Sequence, residues 1–320
     1  MAENLTTTSE VDPAVAIFYD RVLLKRGKPK LIHTMFGQKK SLGSKKGNTM
    51  KFRRYSALTV ATTPLTEGIT PPGQQLSKTD LLAQVSQYGD YVHITDVVDL
   101  TVEDPVLTIA NEELGDQMGR TVDVIVRDIL ASTASEDDCD LGANGDTPTE
   151  LTKNDIDKKA VQVLLGNNAD MYTPIIKAGS GQGTSPVRAA FWALSEIDLI
   201  DDIEAVSGFK STSNYPVQQG VLDAEWGSTG NVRWLVTTEG YVESASSNLG
   251  ADEYYNFILG KNAYGIIDLD AGNVKSIIKG FGSGGTSDPI DQRATAAWKL
   301  MFVARILNDN FLMNLKASHS

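Results

Sequence analysis

Few residues of this chain have the type and spacing to do chemistry, and two glycine clusters come first among them. Gly179-Ser180-Gly181-Gln182-Gly183 is one, and the run from Gly280 through Gly285 to Asp288-Pro289 is the other. A phosphate loop needs Gly, four residues, Gly, then Lys and Ser/Thr, because the lysine must reach the phosphates. Gly280 and Gly285 have the spacing, but Thr286 follows at once, and neither cluster carries the lysine. Asp288-Pro289 also puts a carboxylate where a helix start would have to offer bare N–H groups to an anion. Both clusters therefore read as turns between strands.

The remaining candidates point the same way. His33, His93 and His319 are far apart, and none has a recognised ligand two to five residues on, so no metal site is assigned. His93 is expected on the surface of a projecting hairpin. Cys139 is the only cysteine, within Glu136-Asp137-Asp138-Cys139-Asp140. It cannot form an internal disulfide, and its acidic neighbours oppose a reactive thiolate, as suits a reducing cytoplasm. A Ser/His/Asp triad assembles in space, so chain order does not exclude one, but no Gly-x-Ser-x-Gly elbow occurs. Asp201-Asp202 reads as a solvated helix face. No catalytic, cofactor-binding or metal-binding residue is assigned.

The elements that would carry such residues follow from composition and pattern. With 320 residues, 41% of them hydrophobic, the chain can bury a core divided into two or three subdomains. It has no apolar run of about 18 residues for a membrane span and no secretory signal at its start. The net charge of −12 is unevenly spread. Residues 1–60 hold twelve Lys+Arg against four Asp+Glu, and the rest hold 17 against 37. A basic arm on an acidic body suits a polyanionic or acidic partner, and equally a solvated loop.

Asp12-Pro13 can open a short amphipathic helix, and residues 25–47 read mostly as loop. Met50 to Tyr55 and Val85 to Thr95 read as two strands of one long excursion, with a turn-rich tip between Thr62 and Gly73. Asp104 and Pro105 start a helix over Val106–Ala131, with Leu107, Leu114, Met118, Ile125 and Ile129 inward. Asp116–Arg120 and Asp123–Arg127 are expected as exposed pairs on it. Gly115 and Gly119 each cost about 1 kcal/mol against Ala in a helix, which suggests close passage of another backbone. Asn154 is expected to cap a helix from Asp155 to Leu165. Ala189–Leu194 reads as a buried strand, followed by a helix from Glu196 to Val206 capped by Ser195. Val232–Thr237 and Phe257–Leu259 read as strands. Trp298, Leu300, Phe302, Ala304 and Ile306 alternate with period two, which favours a strand, with Phe311–Leu315 as its hairpin partner across Asn308-Asp309-Asn310; a helix stays open here, because the run is apolar on both faces. The class is α+β.

This order of parts resembles the tailed-bacteriophage major capsid (coat) protein, the Hong Kong 97 type. Particular stretches are similar to its podovirus-like branch: Phe18-Tyr19-Asp20-Arg21, Leu65 to Pro71, Leu114-Gly115-Asp116-Gln117, Phe191-Trp192-Ala193-Leu194, Leu259 to Gly265, Gly285 to Pro289, Gln292-Arg293 and Trp298-Lys299. The resemblance runs over nearly the whole chain and implies a division into five parts. These are an N-terminal arm and basic loop (1–47), an extended β-hairpin loop (48–98), a peripheral domain with a spine helix (99–185), an axial domain (186–275) and a return to the peripheral domain (276–320).

The function it implies is an icosahedral shell of hexamers and pentamers around phage DNA, assembled in the bacterial host cytoplasm and found in the virion. Its implied partners are other copies of itself, a portal, double-stranded DNA without sequence specificity and, in some members, a decoration protein; no membrane is involved. Some members carry a long N-terminal scaffolding segment. Here fewer than twenty residues precede the family-like part, so the expected scaffold is a separate protein. Expected assembly residues are Lys51, Arg53, Arg54, Glu67, Tyr88 and Tyr91 on the hairpin, with Gly115 and Gly119 for close packing on the spine. Lys25, Arg26, Lys28, Lys30, Lys39, Lys40, Lys45 and Lys46 are expected on the inner face or between subunits. The alternatives are the shell of a cargo-holding nanocompartment, which shares the fold, and a hydrolase with a spatially assembled site.

Overall fold

The computed structural model describes residues 31–41, 49–56, 58–65, 67–97, 106–139, 148–177, 186–216, 220–244, 252–267, 274–284 and 288–319. Strands β1 (Gln38–Lys40), β2 (Thr49–Tyr55), β3 (Lys78–Gln84) and β4 (Ser86–Thr95) precede the 26-residue helix α1 (Val106–Ala131). Next come β5 (Glu136–Asp138) and a composite helix α2, built from Lys153–Asp155, a wider π-type stretch Ile156–Val161, and Gln162–Gly166. β6 (Phe191–Glu196), the 3-10 turn Ile197–Leu199 and α3 (Ile200–Ala205) follow. The rest is strand: β7 (Phe209–Ser211), β8 (Glu225–Thr229), β9 (Val232–Thr237), β10 (Tyr241–Glu243), β11 (Glu253–Leu259), β12 (Tyr264–Ile267), β13 (Val274–Lys279), β14 (Arg293–Phe302), β15 (Ala304–Ile306) and β16 (Leu312–Ser318). Among the described residues no helix is long and apolar enough to cross a membrane.

An eight-stranded mixed sheet forms the centre, in the order β5-β16-β11-β6-β9-β8-β7 with β10 added on β11. Every residue of β6 and β11 is buried, as expected of strands covered on both faces. Alternation sends the two faces into different cores. Trp192, Leu194, Phe257 and Leu259 face α1 with Leu114, Met118, Val122, Val126 and Leu130. Phe191, Ala193, Trp234 and Ile258 face α2 and α3 with Ile156, Leu164, Leu199 and Ile203. The result is a sheet between two helical layers.

Local expectations hold best where the pattern is strongest. The described part of α1 spans 106–131 as expected; its start at Asp104-Pro105 lies outside the described residues, as does the helix expected at Asp12-Pro13. The central buried face of α1 is Leu114, Met118, Val122, Val126 and Leu130, whereas Leu107, Ile125 and Ile129 are only partly buried. In β14, Ala294, Ala296, Trp298, Leu300 and Phe302 point inward with period two.

Several local expectations are corrected. α2 is capped by Thr152, not Asn154. Thr152 is extended (φ −118°, ψ 157°), and its hydroxyl oxygen accepts from Asp155 N. β6 runs through Ser195 to Glu196, two residues later than expected, because the buried Ser195 hydroxyl bonds Asn256 Oδ1 at 2.5 Å in the sheet. Asp202 is not solvated: it is buried, with Oδ2 2.9 Å from His319 Nδ1.

The largest departure concerns strand partners. β2 pairs antiparallel with β3, from Thr49↔Gln84 to Tyr55↔Lys78. β4, expected as the second hairpin strand, instead pairs with β14 over ten residues, from Arg293↔Thr95 to Phe302↔Ser86. It closes a separate sheet in the order β13-β14-β4, against which α1 packs. Likewise β16 is not the partner of the Trp298 segment. It pairs with β11 antiparallel and β5 parallel in the central sheet, while β15 pairs with β12.

Candidate functional site

The hairpin β2–β3 projects from the body and is fastened at its base. Phe52 is buried against β12, where a Cβ on Gly265 would come 2.5 Å from its ring. A glycine there lets the ring lie on the backbone. Arg54 donates to Leu307 O (3.2 Å) and Asn308 Oδ1 (2.8 Å). Across the hairpin Asp80 receives Lys51 Nζ at 2.7 Å and Arg53 Nε at 2.9 Å. These two hydrogen-bonded cations, Lys51 first, hold the Asp80 carboxyl down at about 2. Beyond the base the core ends. Leu58, Val60, Leu65, Ile69 and Leu76 are all exposed, and Glu67 lies exposed at the tip. Only a few polar contacts order this part, such as Thr59 N donating to Gln74 Oε1 at 2.8 Å.

The other expected residues are scattered. Tyr88 and Tyr91 are not on the hairpin; they stand on β4, opposite Leu300 and Ala297 of β14. Tyr91 is exposed and meets the His93 ring edge to face at 4.9 Å. His93 is thus on the surface, but of the three-stranded sheet. Gly115 and Gly119 lie on the buried face of α1. Lys39 and Lys40 are in strand rather than loop, with β1 running parallel to β12. Lys40 Nζ donates to Lys51 O at 2.5 Å and lies over the Phe52 ring, which ties it to the hairpin base. Lys25, Arg26, Lys28, Lys30, Lys45 and Lys46 lie outside the described residues.

The ion pair expected between Asp123 and Arg127 does not form. Asp123 is buried and takes His33 N at 2.7 Å and His33 Nδ1 at 2.6 Å. Tyr264 Oη donates to His33 O, so the segment 31–36 is clasped between α1 and β12. Burial is the main reason the Tyr264 phenol is pushed up. Arg120 reaches Glu239 (2.6 Å), and Arg127 binds Asp128 and the backbone oxygen of Gly240. The sequence reading missed this clasp, although Asp123 sits five residues after Met118 and three before Val126 on the apolar face. It also missed the buried pair of Arg233 with Glu225, joined twice at 2.6 Å, with Trp192 stacked 4.5 Å from the guanidinium.

The features that suggested chemistry are structural in their described parts. Cys139 is buried and its thiol is pushed up by that burial, with Asp155 adding to it. In the second glycine cluster Gly282 takes φ +81°, and the buried Asp288 carboxylate accepts Arg293 N at 2.8 Å, which closes the turn onto β14. Residues 179–183 and 285–287 lie outside the described residues.

This arrangement is an α+β fold with one long helix, a projecting hairpin and a central mixed sheet. No protein-family model matches the sequence, and no curated protein matches it significantly. Solved structures do. The capsid of Ralstonia phage GP4 superposes with a TM-score of 0.65 at 10% identity, over 89% of this chain and 87% of that one. The capsid of cyanophage Pam1 gives 0.58 at 14% identity, over 93% of each chain. The head of Helicobacter pylori bacteriophage KHP40 gives 0.57 at 10% identity, over 89% and 87%. The fold is therefore that of tailed-phage capsid proteins, the Hong Kong 97 type.

Proposed function

We propose that this chain is a phage major capsid protein, a structural subunit that assembles with copies of itself into the shell of the virion. The observation that carries the reading is the whole-chain likeness of fold to phage capsids, over about nine-tenths of both chains. The hairpin supports it. Its row of apolar side chains, exposed among the described residues, is marginal in water and gains most from a neighbouring subunit.

The finer reading follows the family. Hexamers and pentamers close an icosahedral shell around double-stranded DNA in the bacterial host cytoplasm, with a separate scaffold, a portal and, where present, a decoration protein. The short stretches similar to podovirus-like members support a place beside them. Gly115 and Gly119 admit a close-packed neighbour on α1. Lys51, Arg53, Arg54 and Glu67 serve the hairpin's contacts, with Tyr88 and Tyr91 on the adjacent sheet. The basic residues from Lys25 to Lys46 meet DNA or an adjacent subunit on the inner face. Electron microscopy of the protein, purified alone and with its scaffold, tests the reading. Closed shells of uniform diameter are expected, and a monodisperse monomer under every condition refutes it.

A further inference from the structure

One charged concavity of the body is not used by any of this. Lys153 at the start of α2, Arg188 before β6 and Lys210 on β7 converge on a cleft of about 250 Å³, also lined by Ser228. Asp157 is its only carboxylate among the described residues. Lys210 Nζ is braced by Pro186 O at 3.0 Å, and Arg188 Nη1 reaches Asn231 Oδ1 only at 3.5 Å. Neither Lys153 nor Arg188 forms an ion pair among the described residues, and both are exposed. The backbone keeps the approach clear of side chains. Gly208 (φ +91°) lies where a Cβ would stand 3.5 Å from Lys153 Nζ, and Gly230 (φ +59°) where one would stand 3.3 Å from Asp157 Oδ1.

Three cations facing one carboxylate stand out on this body, because beyond residue 60 the chain carries 17 Lys+Arg against 37 Asp+Glu. A group entering the cleft gains two or three charge-assisted hydrogen bonds if it is anionic. We propose that the cleft receives a carboxylate side chain from a second copy of this chain. Three observations favour that occupant. Beyond residue 60 another copy carries 37 Asp+Glu against 17 Lys+Arg, so the field of its body complements the cleft. Exposed carboxylates such as Asp201 on α3 have no ion pair among the described residues. The volume falls below the roughly 300 Å³ at which small-molecule pockets begin, and it suits one side chain. A nucleic-acid strand is longer than the cleft and would also meet a body that carries 37 Asp+Glu against 17 Lys+Arg beyond residue 60. A contact of this kind joins two different surfaces, so it repeats from copy to copy, and it closes into rings where the rotation between copies is a whole fraction of a turn.

The inference rests on the capsid reading. Its test is Lys153→Glu with Arg188→Glu in the full chain, assembled as the wild type is. At about 0.1 M salt, where the Debye length is about 10 Å, like charges across the contact should cut shell yield by at least about tenfold. The free subunit's circular dichroism and melting should not change, because both side chains are exposed. Should the Glu pair disturb folding, Lys153→Gln with Arg188→Gln carries the test, with a smaller loss of yield. Excess inorganic phosphate should compete with the carboxylate, lowering wild-type yield more than that of the Gln pair. The proposal is overturned if the Glu pair assembles as the wild type does, whether or not phosphate binds the free subunit. Normal shells that retain DNA poorly also overturn it and assign the cleft to nucleic acid. A wild type that forms no shell under any condition sinks the capsid reading and this inference together, which separates that failure from a fault in the cleft alone.

Discussion

The hairpin β2–β3 and the central strands β6 and β11 are both regular β-structure, yet they live in opposite surroundings. All thirteen residues of β6 and β11 are buried. In the hairpin only Met50, Phe52 and Ala83 are, all at its base. Their charges differ in the same way. Arg233 and Glu225 are 3% and 0% exposed, bonded to each other and enclosed by Trp192 and Tyr215. Lys51, Arg53 and Asp80 make their contacts in solvent. A charge taken out of water depends wholly on its partner, while one left in water has water as an alternative. The sheet is completed within the chain, whereas the hairpin beyond its base keeps its described apolar side chains exposed.

The largest expected effect is on the buried side of that comparison. Arg233→Ala leaves Glu225 buried without its counter-charge and should cost about 3–5 kcal/mol, read as the loss of unfolding free energy in urea. Arg53→Ala at the hairpin should leave the same midpoint nearly unchanged; a comparable loss at both sites would break the contrast. Gly115→Leu comes next. Helix propensity favours the change by about 1 kcal/mol, but overpacking the buried face of α1 should reverse the sign to a loss of about 1–3 kcal/mol. A stabilised variant that assembles normally would show the glycine face to be open.

Hydrogen exchange sharpens the comparison without mutation. In the free subunit the amides of 58–76 should open at a cost near 0 kcal/mol, while those of Glu253–Leu259 should approach the global limit. In assembled shells the hairpin amides should gain protection. Equal protection in both states would mean that the hairpin is already complete.

The smallest effect is the pH dependence of the hairpin clasp. Asp80 is held at about 2 against an ordinary 3.8, so its folded form binds protons less readily than the unfolded one. Its contribution is full above the ordinary value and is lost as pH falls towards about 2. Carboxyl chemical shifts followed through that window should show the low midpoint, and Lys51→Gln should raise it. An unshifted Asp80 would mean that the clasp does not persist in solution.

Short-range pattern was legible where one residue type repeats against one face. The extent of α1 followed from helical spacing, the inward set of β14 from alternation, and β9 from its β-branched and aromatic run. The strand at Phe191 was found two residues early, since nothing local marks Ser195 as part of a sheet until Asn256 lies beside it. Thr152 escaped because Asn154 is an equally good cap by type, and only the extended backbone at 152 separates them. Of the candidate site, the hairpin's first strand and the position of Gly115 and Gly119 on the spine helix were readable, whereas the cleft was not. Its cations come from positions 153, 188 and 210, which have no common spacing.

The sequence by itself determined the α+β class, the spine helix, the apolar faces of its main strands and the charge contrast between arm and body. These depend on residues within a turn or two of one another, where backbone geometry alone puts side chains on one side. Only the tertiary structure decided that β4 joins β14 some two hundred residues away, that β16 belongs to the central sheet, and that Asp123 is a buried anchor for His33. Strand pairing is chosen by which apolar faces can be buried together across the whole molecule. A carboxylate's fate likewise depends on whether that packing carries it away from water and what partner it meets there.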